Sequence, residues 1–268
     1  AVLRWDQETY MPDGGAEARA QQLSTLQSTA HERFVDEDTG ELLDRAAEAI
    51  DDPSPLDPDA ALIRVTRRDY ERAVRVPSSL VAELSKAQSQ AQQAWKQARA
   101  GDDFSRFAPH LERLVDLSVE KADAIGYEKE PYDALLTEYE PGRTTAEVAS
   151  LFDTLRTNLV PLVDAIADAP QIDPSVLRGT YPQAEQQAFG RSVIEDFGYD
   201  FDRGRQDVSA HPFTTSFSAN DVRLTTRYDE DNVASALFST IHEAGHGLYE
   251  QGIDPSLDRT PLGEGTSL

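Results

Sequence analysis

As far as Gly198 the chain is written in helix-length runs broken by Pro, Gly and Asp, and this punctuation limits the fold more than any other feature. After Gly14-Gly15, the run Ala16 to Phe34 is rich in Ala, Gln and Leu, with Leu23 and Leu26 at helical spacing. A loop at Pro53 to Pro58 precedes Asp59, which can cap a helix carrying Leu62, Ile63, Thr66, Tyr70, Ala73 and Val74 on one stripe. Pro77 stops that helix, Ser78-Ser79 can cap the next as far as Gly101, and Asp103 to Ile125 makes another, closed by Gly126. A short segment, Pro131 to Leu136, ends at Pro141-Gly142. Thr144-Thr145-Ala146-Glu147 fits a capping box, in which hydroxyl and carboxylate each take a free amide of the first turn, and it opens a helix to about Ala169. Gln183 to Phe197 follows, closed by Gly198. Nothing repeats at a fixed period. The expected fold is mainly α.

The pattern changes between Asp207 and Tyr228. Phe213 to Phe217 and Val222 to Tyr228 are rich in Thr, Phe and Val and flank a polar break at Ser218 to Asp221, which predicts a small antiparallel β-hairpin. Asp229 or Asp231 then caps a helix from about Val233 to Gln251, with Gly252 as its stop. The expected organisation is one domain portion over 1–268, helical through 1–200, with the hairpin and final helix in 205–268.

Composition removes several functions. There are 49 acidic against 25 basic side chains, a net charge of -24, which argues against a nucleic-acid surface or an anionic membrane. Cysteine is absent, so disulfide scaffolds, thiolate zinc sites and cysteine nucleophiles go together, and any metal must be held by His and carboxylate. No apolar run reaches the roughly 18 residues of a membrane span. The opening Ala1-Val2-Leu3-Arg4-Trp5-Asp6 lacks a basic start and apolar stretch, so a cytoplasmic location is expected. It also lacks an initiating Met, so the chain is read as a piece of something longer. The acid is dispersed, densest at Asp51 to Asp59, while Lys occurs only at 86, 96, 121 and 129. A dispersed carboxylate shell repels itself unless salt screens it, which suggests a salt-loaded cytoplasm and a halophilic source.

Chemistry concentrates in Ile241-His242-Glu243-Ala244-Gly245-His246, which contains His-Glu-x-x-His. On a helix His242 and His246 lie one turn apart on one face, so two imidazoles can converge on an ion. Glu243 sits about 100° round, placed to take a proton from water that the ion acidifies. A helix with two merely structural histidines is the bland alternative, and it would leave the pattern's use of two of only five histidines to chance. Two imidazoles leave one ligand open. No third His follows His246 closely. Of Glu250, Asp254, Asp258 and Glu264, Glu250 would point past the ion, and only Glu264 stands at a plausible separation.

Several ordered stretches resemble the carboxypeptidase Taq family of metallocarboxypeptidases, peptidase family M32. They are Trp5 to Pro12 with Gly14 to Arg19, Tyr132 to Leu136 with Glu138 to Gly142, His211-Pro212-Phe213, Asp221 to Thr225, and His242 to Gly252. The resemblance implies many helices around a deep groove with a small sheet beside the metal helix. It implies release of C-terminal residues from peptides with a free C-terminus, zinc (or cobalt or manganese) at His242 and His246, Glu243 as general base, and a homodimer at full length. It places the third ligand in a His-Glu-Ser-Gln element just past Leu268, displacing Glu264, so this portion by itself is expected to be weakly metallated and nearly inactive.

Two further residues carry open readings. Arg223 can clamp a peptide's terminal carboxylate bidentately or pair structurally with Asp221. His211 can steady a developing oxyanion or simply line the pocket. Asp221 is either a turn residue or a partner to a ligating His. The rival functions are a zinc endopeptidase with the same ligands and a helical interaction module that has lost catalysis.

Overall fold

The computed structural model describes residues 1–50, 57–258 and 260–263. Ten α-helices are described: α1 (Val2–Thr9), α2 (Ala16–Phe34), α3 (Glu37–Glu48), α4 (Pro58–Ala73), α5 (Ser78–Ala100), α6 (Phe104–Ile125), α7 (Pro131–Leu136), α8 (Thr145–Asp168), α9 (Gln183–Asp196) and α10 (Val233–Gln251). Between α9 and α10 lie three strands, β1 (Gly204–Val208), β2 (Thr214–Ser218) and β3 (Asp221–Thr226). The mainly α expectation holds, with a small sheet beside α10.

Local chemistry explains the boundaries. The capping box forms: Glu147 Oε2 accepts from Thr144 N–H at 2.9 Å, and Thr144 Oγ1 accepts from Glu147 N–H at 3.3 Å. Asp133 of α7 accepts from the Thr145 amide at 2.6 Å, tying α7 to the start of α8. The α4 cap is Asp57, whose carboxylate takes the Ala60 amide at 2.8 Å, because Pro58 occupies the first helical position where its missing N–H costs nothing. Asn232, not Asp229 or Asp231, caps α10. Most of the Pro53 to Pro58 loop reading lies outside the described residues. Two helices carried too weak a signal: α1, short and polar, and α3, broken in sequence by Gly40. A Cβ at that glycine would meet the Tyr70 hydroxyl at 2.7 Å, so a larger residue there makes the Tyr70 ring shift.

Burial falls into two clusters. Val76, Leu80, Leu117, Ala122, Ile125 and Ala134 fill the space between α5, α6 and α7. Ile194, Tyr199, Leu224 and Ala244 join α9, the sheet and α10. Helix α1 bridges them: Gln7 exchanges hydrogen bonds with Ser89 of α5 (3.4 and 3.1 Å), while Trp5 lies against the sheet.

The strand order is β1-β3-β2, with β1 parallel and β2 antiparallel to β3. The hairpin was legible; β1 was not, because Gly-Arg-Gln-Asp-Val shows no apolar alternation. Side chains alternate across a sheet, and here the two faces have different neighbours. Gln206, Thr214, Leu224 and Thr226 turn to α10, with Gln206 donating to Thr240 Oγ1 at 3.0 Å. Arg205 and Arg223, register partners, turn to α1. Gly247 lets α10 come down on this sheet, since a Cβ would sit 2.8 Å from Tyr199 and 2.9 Å from Leu224.

Candidate active site

Helix α10 buries Ala236, Thr240, Glu243, Ala244, Gly247 and Gln251, a stripe at helical spacing that faces the sheet and α9. His242 and His246 fall outside that stripe. Both are exposed, one turn apart, with ring centroids 5.0 Å apart and planes at 78°. Neighbouring residues on one helix therefore meet opposite environments: two imidazoles open to solvent and, between them in sequence, a carboxylate that is 6% exposed.

That carboxylate is held from another element. Thr214 Oγ1 donates toward Glu243 Oε2 at 2.7 Å and lies 2.9 Å from the Glu243 carbonyl oxygen. Thr214 stands opposite Leu224 in the β2–β3 register, which turns its side chain toward α10. The sequence reading passed over Thr214; strict alternation along Phe213 to Phe217, counted from Leu224 across the hairpin, would have found it.

His211 sits exposed in the loop between β1 and β2, three residues before Thr214. Its hydrogen bonds stay within that loop: Nδ1 lies 2.7 Å from Pro212 O, and its carbonyl accepts from Ser209 Oγ at 2.6 Å. Buried Thr225 pins the loop by accepting from the Phe213 amide at 2.9 Å.

The structure does not bring Arg223 to the imidazoles. It projects from the sheet face away from α10, where Nε and Nη2 donate to Asp221 at 2.7 and 2.8 Å. Its guanidinium lies between Trp5 (4.5 Å) and Phe217 (4.7 Å). This is the ion pair that was one of the two readings, and it occupies Asp221 as well. Arg205 repeats the arrangement with Asp207 (2.7 and 2.6 Å) and Tyr10. The hydrogen bond to Asp207, reinforced by burial, holds the Tyr10 phenol above its ordinary value. His31 hydrogen-bonds Val76 O at 2.8 Å, a structural role.

Two imidazoles are a fitting borderline donor pair for zinc or a similar divalent ion. Among the described residues, no group of three His, Asp or Glu side chains stands together to complete a site. Glu264 lies outside the described residues.

The chain matches the profile of the Carboxypeptidase Taq (M32) metallopeptidase family over residues 1–268. It belongs to that family. M32 relatives include thermostable carboxypeptidase 1 of Thermus thermophilus, 38% identical over all of this chain and 54% of its own length, and carboxypeptidase 1 of Bacillus subtilis, 36% identical over 100% and 53%. The crystal structure of BsuCP superposes with a TM-score of 0.93 at 35% identity, covering 98% of this chain and 53% of that one. The M32 carboxypeptidase of Deinococcus radiodurans gives 0.83 at 44% identity, over 99% and 53%. The chain thus spans about half the length of the curated relatives it matches. Membership of this metallopeptidase family implies a divalent ion as cofactor. No described helix is long and apolar enough to cross a membrane.

Proposed function

We propose that the chain carries the His-Glu-x-x-His part of a zinc-dependent carboxypeptidase acting on peptides with a free C-terminus. The observation that carries this reading is the pairing of two solvent-open imidazoles with a buried carboxylate clamped from a neighbouring strand. His242 and His246 would hold the ion, whose chemistry when bound is Lewis acidity toward water and the scissile carbonyl. Glu243 is the proton acceptor in this scheme, and Thr214 fixes which way its carboxylate faces. His211, at the mouth of the strand that bears Thr214, borders the path of the peptide. Arg223 braces the sheet from behind rather than binding the terminal carboxylate. The resemblance also carries a full-length homodimer, which sedimentation equilibrium would check.

Elemental analysis after equilibration with zinc, combined with a peptide-trimming assay, tests the proposal. Two imidazoles bind more weakly than three ligands, so partial zinc loading is expected in the wild type and its loss in His246→Ala. Glu243→Gln should keep the metal and lose any trimming. Equal metal in wild type and H246A would overturn the ligand assignment. Cleavage of a C-terminally amidated peptide would favour an endopeptidase instead.

A further inference from the structure

Helix α8 is 24 residues long and buries none of them. It is fastened at its start through Asp133, and just beyond its end Arg178 and Gly179 meet the chain before α10. Its apolar residues are not scattered. Val148, Phe152, Leu155, Leu159, Leu162 and Ile166 recur in steps of four and three, the spacing with which one helix presents a seam to another. From Phe152 to Ile166 these side chains are 43% to 61% exposed. A free-standing helix with such a face lacks the tertiary packing from which helices draw most of their stability, and exposed apolar surface on this scale marks an interaction site. Next to the start of α8, where Asp133 fastens it to α7, α6 and α7 form a groove of about 400 Å³ lined by Leu111, Val115, Val119 and Tyr132.

We infer that the α8 seam and the α6–α7 groove together seat a helical segment from the part of an M32 chain that lies outside the half matched here. The seam calls for a helix with apolar residues at the same four–three spacing. The acids of α8 leave that seam apolar: Asp153, Asp164 and Asp168 share the far side of the helix with Thr157. A second copy of this chain is the disfavoured occupant, since two molecules each carrying -24 repel one another. Length supplies the occupant. The relatives carry nearly as much chain again, and BsuCP shares this backbone course over 98% of the chain, so α8 is held in the same stance in a protein that has the remainder.

The test is hydrogen exchange of the amides from Val148 to Ile166, in the chain alone and with an equimolar polypeptide comprising the portion of Bacillus subtilis carboxypeptidase 1 outside the matched region. Slowing by about 100-fold or more is expected, as a surface helix becomes an internal one. Leu155→Asp with Leu162→Asp should abolish it, and Thr157→Asp, on the opposite side of α8, should not. Association without protection of α8 would overturn the inference, as would protection that grows with the concentration of the chain alone. If the two polypeptides do not associate, the aligned amides are read in intact Thermus carboxypeptidase 1. Concentration-independent protection there sustains the inference, and exchange as fast as in the isolated chain overturns it.

Discussion

Thr214 gives Glu243 its only side-chain partner among the hydrogen bonds of the described residues, and does so from a different element. A buried carboxylate deprived of its donor keeps its desolvation cost, so Thr214→Val should lower stability by about 1–3 kcal/mol in denaturant titration, whereas Thr214→Ser should stay close to wild type. Equal stability of the valine variant would show that solvent reaches Glu243 and satisfies it. At this scale the motif itself was legible, because His-Glu-x-x-His on a helix fixes directions by geometry alone. The partners were not. Thr214 and Arg223 owe their roles to which face of the sheet they occupy, and one residue of register decides that. Reading β2 and β3 as a hairpin was right, yet without the position of α10 neither face could be named as the one that meets the histidine-bearing helix.

At the scale of elements, Glu138 shows how the α6–α7 corner is tied down. Its carboxylate meets Arg72 of α4 at 2.5 Å and Lys121 of α6. Burial opposes its ionisation, but the hydrogen bonds and charges of Lys121 and Arg72 outweigh burial and hold it below its ordinary 4.5. A folded value below the unfolded one adds stability above pH 4.5 that is lost as pH falls through the folded value. Glu138→Gln should therefore cost about 1–2 kcal/mol at pH 7, judged by hydrogen bonds to charged groups, and the gap from wild type should close in acid. A gap that persists at pH 3 would locate the effect in packing. Helices announced by caps and closing glycines were legible to within a residue or two. Helices α1 and α3 and strand β1 were not, because their stability comes from contacts distant in sequence: Trp5 on the sheet, Tyr70 over Gly40, and the pairing of Gly204 with Val222.

For the whole molecule the dominant quantity is the charge of -24. Cations are present in pairs, such as Lys96 with Glu8 at 3.0 Å and Arg67 with Asp44 at 2.7 Å, but they are half as numerous as the acids. The screening length falls from about 10 Å at 0.1 M salt to about 3 Å at 1 M, so self-repulsion should fade over that range. We propose a salt-requiring protein: thermal unfolding should shift upward steadily between 0.1 and 2 M KCl on the order of the screening change. A midpoint indifferent to salt would assign the acidity to solubility alone. The two burial clusters could not be foreseen from composition, because the helix that joins them is the polar, eight-residue α1.

That joint has a consequence for the order in which the protein is made. Tyr10 meets Arg205 across 195 residues of sequence. Helices α2, α5 and α6 can settle against one another before the sheet has been synthesised, whereas α1 has no sheet to rest on until β1 and β3 have followed it. Helix α1 is thus made before these helices and seated after them, and the platform beneath the histidines is closed by a segment synthesised long before it.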